Sequence, residues 1–227
     1  MNFYSFYKKF GLYAILVLVF AFFSIFAPHF FSGANFLNIL RQVSIFGTAV
    51  IGATIVMIGG GADMSVGGMV AMGGIIAAMA MTTWGLPIWA AILLTILFCC
   101  LIGFLNGFLT VTLFIPGFIT TLGMMLVLNG MAYVISGGYA IFGLPSEYAF
   151  LGQGYIGFLP VPVIIFVIVC VAGTFLMTKT YYGRSVYALG GNPTAANLAG
   201  INVKKVTIIA YVLCGFVAAL AALMQLS

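Results

Sequence analysis

Apolar residues in this chain run in long blocks, and the polar positions gather between the blocks instead of striping one helix face. A helix needs about 20 apolar residues to cross a hydrocarbon core. On that measure seven blocks predict spans near 10–27, 40–60, 66–83, 87–110, 118–136, 160–178 and 206–226, the third opening among glycines. No ten-residue alternation of the β-barrel kind is present. The pattern predicts an all-α integral membrane protein, a polytopic bundle of about seven spans in one transmembrane domain over 1–227, embedded in a lipid bilayer.

The longest polar interruption, 179–205, carries four of the seven Lys and Arg residues: Lys179, Arg184, Lys204 and Lys205. It also specifies a short helix. Asn192 is a strong N-cap, Pro193 suits the first helical position, and Gly200 supplies a left-handed stop. Alanines at 195, 196 and 199 lie between them. Two turns are too short to span a membrane, so this segment reads as a docking element for a soluble partner.

A second interruption, Gly59 to Gly68, combines five glycines with Asp63 and Ser65. Each glycine costs about 1 kcal/mol in a helix relative to Ala. Irregular backbone at membrane depth needs protein or a wet cavity around it. Two readings stay open: a broken helix beside a transport path, with Asp63 holding the break or meeting solute, or a tight turn in which Asp63 and Ser65 cap the next helix. Small residues spaced by four (Gly67/Ala71, Gly73/Ala77, Gly103/Gly107, Ala218/Ala222) predict closely packed helices. Asn106 and Asn129 read as interhelical hydrogen-bonding groups, and Thr120 and Thr121 as carbonyl-bonding or path-lining residues. The segment Gly137 to Leu159, with Glu147, Tyr139, Tyr148, Tyr155 and Gln153, reads as a platform for an external partner or, alternatively, as an interfacial cap with its tyrosines at headgroup level. His29 reads as interfacial.

Composition reinforces the membrane reading: 65% of residues are hydrophobic and 4% charged, against about 25% charged in soluble domains. The net charge of +5 signals no nucleic acid partner; its distribution signals topology. With the N-terminus inside, Lys8, Lys9, Lys179, Arg184, Lys204 and Lys205 fall on the inner side and only Arg41 outside, as the positive-inside rule requires. Cys99, Cys100, Cys170 and Cys214 lie in apolar segments without metal or disulfide spacing. The basic start and first apolar run lack a small-x-small cleavage site, so a retained span is expected. No phosphate loop, zinc-protease or nucleophile-elbow motif occurs. No cofactor, metal or catalytic residue is expected, and energy for uphill movement must come from another chain or an ion gradient.

Three stretches carry a family resemblance. Gly60-Gly61-Ala62-Asp63-Met64-Ser65-Val66-Gly67 resembles the G-G-I-D-L-S-V-G signature of ribose-type ABC importer permeases, with Ala62 and Met64 replacing Ile and Leu. Phe118 to Gly123 resembles their F-I-A-T-L-G. Thr180 to Val203 resembles T-x-F-G-R-x-x-Y-A-x-G-G-N-x-x-A-A-x-x-x-G-I-N. Asn197 and Ala199 stand where relatives often carry a basic residue and Ser, and Asn129 where they often carry Arg. The resemblance implies a type II ABC importer-like bundle in a bacterial plasma (inner) membrane. Its implied partners are cytoplasmic ABC ATPase subunits, a periplasmic or lipoprotein sugar-binding protein and a second permease copy. It makes Gly190, Gly191, Asn192, Pro193, Ala195, Ala196, Asn197 and Gly200 the coupling segment, and Asp63, Ser65, Asn106, Thr120, Thr121 and Asn129 candidates for the translocation path. Relatives continue through further helices, so a C-terminally short chain, complete or remnant, is expected. An ion-coupled transporter using Asp63 is the rival reading from the residues themselves.

Overall fold

The computed structural model describes the backbone of residues 3–227 and side chains from residue 11 onward; the side chains of Lys8 and Lys9 lie outside the described set. Proline and glycine set the element boundaries. α1 (Phe3–Phe26) is followed by α2 (Gly33–Ile58), whose start is capped by Ser32 Oγ accepting from Asn35 N at 3.2 Å. α3 (Val66–Thr82) begins only after the glycine-rich break. α4 (Ile88–Thr112) opens behind Pro87 and α5 (Gly117–Ser136) behind Pro116, and Gly137 at φ 64° ends α5. A 3₁₀ turn (Ser146–Ala149), α6 (Phe150–Gln153) and a two-residue hairpin of β1 (Tyr155–Ile156) and β2 (Leu159–Pro160) fill the next connection. Then come α7 (Val161–Lys179), α8 (Tyr181–Gly191), α9 (Pro193–Leu198) and α10 (Val203–Leu226).

Among the described residues, α2, α4, α5, α7 and α10 are long and apolar enough to cross a membrane. The other two expected spans are shorter apolar helices, Gly11–Phe26 and α3. The 17 residues of α3 rise only about 26 Å, because the glycines ahead of it consume chain without helix.

Two compact units emerge, one running to Leu40 and one covering Arg41–Ser227. In the first, Phe20 packs edge-on against Phe30 and Phe31, and Asn35 Nδ2 donates to the Phe30 carbonyl at 2.8 Å. In the second, α10 is the central helix. Ala210, Cys214, Gly215, Ala218, Ala219, Ala221 and Ala222 bury every side of it. Small residues let backbones approach closely where no hydrophobic drive exists between helices in lipid. A Cβ at Gly103 on α4 would run into the Tyr211 carbonyl, and one at Gly215 into the Cys99 carbonyl. At Gly73 on α3 it would lie 3.1 Å from the Ala222 Cβ. Three of the four small-residue pairs therefore pack as expected. The fourth does not: Gly67 and Ala71 lie on an exposed face, with nothing within 4 Å of a Cβ at Gly67.

At the end opposite α8 and α9, the 137–159 segment clamps onto the end of α10. Tyr148 is 2% exposed, and its hydroxyl donates to the Leu223 carbonyl at 2.7 Å. Burial raises its phenol above the ordinary range. It is a buried anchor, correcting the headgroup-level expectation, whereas Tyr139 is 82% exposed. Arg41 donates to the Tyr155 hydroxyl at 2.9 Å here, far along the chain from the basic 179–205 segment.

Candidate functional site

The functional candidates gather at one end, in two layers. The inner layer is the break between α2 and α3. Gly60, at φ 81°, turns the chain where a side chain would be strained. Asp63 then closes an Asx turn: its Oδ1 accepts from Ser65 N at 2.8 Å and from Ser65 Oγ at 2.6 Å. Ser65 Oγ in turn accepts from Asn106 Nδ2 on α4 at 2.8 Å. Thr121 Oγ1 on α5 accepts from Met64 N at 3.0 Å and donates to its own helix at Gly117 O, 2.7 Å. Tyr211 on α10 donates to the Ala62 carbonyl at 3.0 Å. The break is thus held by three separate helices, and the polar backbone that glycine exposes finds its partners there.

Three buried polar atoms around this region have no partner among the described residues: Asp63 Oδ2, Asn106 Oδ1 and Thr120 Oγ1. Asn106 acts as an interhelical group, as expected; Thr121 bonds a carbonyl of its own helix, as expected, and also ties α5 to the break through Met64 N. Thr120 lies in the next position, outside the network. Asn129 contradicts its expectation: it is exposed on α5 and makes no hydrogen bond among the described residues. The physical reason is its phase on the helix, since the buried side of α5 carries Thr121, Leu128 and Ala132.

The outer layer is the α8–α9 segment. α8 was not anticipated from the sequence. Its N-cap is Thr180, whose Oγ1 accepts from Gly183 N at 3.2 Å. Gly183, Val186 and Leu189 recur at helical spacing and form its buried side. A Cβ at Gly183 would strike the Met177 carbonyl, and one at Gly190 the Ile58 carbonyl. Tyr182 donates to the Val206 carbonyl at 3.3 Å, and burial raises its phenol so that it stays a neutral donor. Through Gly190, α8 rests directly on the last turn of α2, one step ahead of the break.

α9 matches its expected chemistry closely. Asn192 Oδ1 accepts from Ala195 N at 3.0 Å, and Pro193 takes the first helical position. At the other end Ile201 N donates to Ala196 O and Gly200 N to Asn197 O, both at 3.0 Å, with Gly200 at φ 84°. That is a Schellman stop. Pro193, Thr194, Ala195, Asn197 and Leu198 are exposed, Leu198 by 84%. Ala196 is 4% exposed and faces its own chain, so it anchors the helix and cannot belong to an outward docking face. Beside α9 opens a groove of ≈ 770 Å³ lined by Phe114, Pro193, Thr194, Asn197, Gly200 and Lys204. Lys204 Nζ lies 6.0 Å from the Phe114 ring centre. The sequence offered a signal for one overlooked residue: Tyr211 is the single tyrosine of α10.

Comparison with known proteins gives the site a context. The chain is 38% identical over 216 residues to the ribose import permease protein of Haemophilus influenzae, covering 93% of this chain and 67% of the relative. It is 38% identical over 213 residues to that of Bacillus subtilis, covering 93% and 65%. It is 33% identical over 222 residues to the D-allose transport system permease protein of Escherichia coli, covering 97% and 68%. The chain spans about two thirds of the length of these curated relatives. No solved structure matches it. These similarities bear out the resemblance to ribose-type ABC permeases, and the model of the branched-chain amino acid transport system / permease component family matches residues 35–227. The chain belongs to that family of membrane permeases.

Proposed function

We propose that this chain is the membrane-spanning permease subunit of an ABC importer that moves a monosaccharide into a bacterial cell. ATP is hydrolysed on a separate cytoplasmic subunit, and the chain itself performs no chemistry. The carrying observation is the separately capped α9, exposed on five of its positions and seated beside α8, which bears on the end of α2. Relatives named for ribose, xylose and allose support a pentose or hexose as cargo. An external sugar-binding protein supplies affinity, a second permease copy completes the path, and the N-terminus is cytoplasmic.

In this reading the ATPase grips the exposed face of α9, and its closure displaces α8. Because Gly190 lies against the Ile58 carbonyl, that displacement reaches the break at residues 59–65. Hydrogen bonds from the break to α4, α5 and α10 then pass it into the bundle. Such a device needs differential contacts in two states, which ATP binding supplies through its partner. Co-purification of the co-expressed ATPase in detergent tests the docking step. Ala195→Glu, on the exposed face, removes most of the ATPase while the permease stays folded; undiminished co-purification would overturn the docking role.

One observation favours ion coupling through Asp63 instead: its buried, unpartnered Oδ2. Uptake that stops with an uncoupler at constant ATP would select that reading, and vanadate-sensitive uptake selects the importer.

A further inference from the structure

α2 and α7 touch at two glycines and leave a cleft beyond them. A Cβ at Gly47 would lie 2.7 Å from Phe166 Cε2, and one at Gly173 would lie 3.3 Å from Ile51 Cγ2. Past Gly173 the helices leave an open cleft of about 260 Å³, lined by Ile55, Cys170, Thr174, Met177 and Thr178 and by Tyr187 of α8. The walls are apolar in effect. Thr54 and Thr178 spend their hydroxyl protons on their own helices, at 2.8 and 2.7 Å.

Two exposed basic residues stand close in the chain to residues that line this cleft. Lys179 follows Thr178 at the end of α7, and Arg184 precedes Tyr187 by one helical turn on the exposed side of α8. Neither side chain has a hydrogen-bond or ion-pair partner among the described residues, and α2, α7 and α8 contain no acidic residue. The chain has two acids in all: Asp63 is engaged with Ser65, and Glu147 lies at the far end. A narrow apolar cleft in the bilayer, lined at one end by Thr178 and Tyr187 with unpaired Lys179 and Arg184 within one turn of them in the chain, is complementary to one molecule class in particular.

We infer that this cleft is a binding site for an anionic phospholipid, with an acyl chain between α2 and α7 and the phosphate at Lys179 and Arg184. A free phosphate ion would ignore the cleft, and a zwitterionic lipid would leave the cations unbalanced. The inference rests on the chain lying in a bilayer and not on the transport proposal. Clusters of basic residues next to spans attract anionic headgroups, each cation contributing roughly a fivefold preference.

Native mass spectrometry of the full chain in detergent, offered equal phosphatidylglycerol and phosphatidylethanolamine of matched chains, tests it. The first lipid retained is phosphatidylglycerol. Its preference falls roughly fivefold in Lys179→Gln or Arg184→Gln and roughly 30-fold in the double variant. Thr174→Trp, which fills the cleft and leaves the charges, also lowers phosphatidylglycerol retention. All three positions are exposed, so folding is not at stake. Equal retention of the two lipids by the unmodified chain, an unchanged preference in the double variant, or displacement of the lipid by inorganic phosphate would each overturn the site.

Discussion

Ser65 is the pivot of the polar interior, donating to Asp63 and accepting from Asn106 within one buried triad. Removing its hydroxyl leaves the Asn106 amide without its partner and takes one of the two bonds to Asp63 Oδ1, and an unsatisfied buried polar group costs about 1–3 kcal/mol. Ser65→Ala therefore lowers thermal stability in detergent more than Asn106→Ala, which severs a single interhelical bond of about 0.5–2 kcal/mol. A double-mutant cycle reads the coupling; full additivity would show that the triad does not act as a unit. Gly190 and Gly191 give a second contrast between neighbours. Gly190→Ala drives a methyl into the Ile58 carbonyl, while Gly191→Ala meets nothing within 4 Å. The first variant loses folded yield or melts earlier; the second does not. At this scale the sequence exposed what local chemistry dictates. Asp63, Ser65 and Asn106 stood out as polar groups in lipid, but their joining depends on α4 lying over the break, which no spacing in the chain encodes. Asn129 looked equivalent to Asn106 and differs only in the face that packing selects.

Elements were legible in proportion to how locally they are determined. α9 carries its whole specification in nine residues, with cap, proline and glycine stop, and it forms as expected. α8 does not announce itself, because its buried side of Gly183, Val186 and Leu189 is too small and too short to register against a polar background. The central role of α10 did not stand out: the sequence marked only the Ala218/Ala222 pair, while the helix is buried on every side through Ala210, Gly215, Ala219 and Ala221 as well. Asn192→Ala removes the N-cap bond, costs about 1 kcal/mol of helix stability, and weakens ATPase co-purification without altering permease yield. Glycines separate the packed helix from the open one. Gly103→Ala on α4 destabilises the chain because α10 occupies the space, whereas Gly130→Ala on α5 is neutral or gains up to about 1 kcal/mol from helix propensity. Comparing the two melting temperatures checks both signs.

For the molecule as a whole, charge and topology agree. Lys179, Arg184, Lys204 and Lys205 border the α8–α9 end, while Arg41 is tied to Tyr155 and Gln153 at the other. The separation of ends is geometric, and in the proposed topology the positive-inside rule puts the basic end in the cytosol. Everything proposed about ATP-driven import needs α9 on that side. Thr194 on α9 and Phe158 in the β1–β2 turn, 81% exposed, are the two reporting positions. Cysteine introduced at each is treated in intact cells with a membrane-impermeant maleimide. Thr194→Cys stays unlabelled until the membrane is permeabilised, while Phe158→Cys labels at once; labelling of Thr194→Cys from the outside would invert the topology and remove α9 from any cytoplasmic motor.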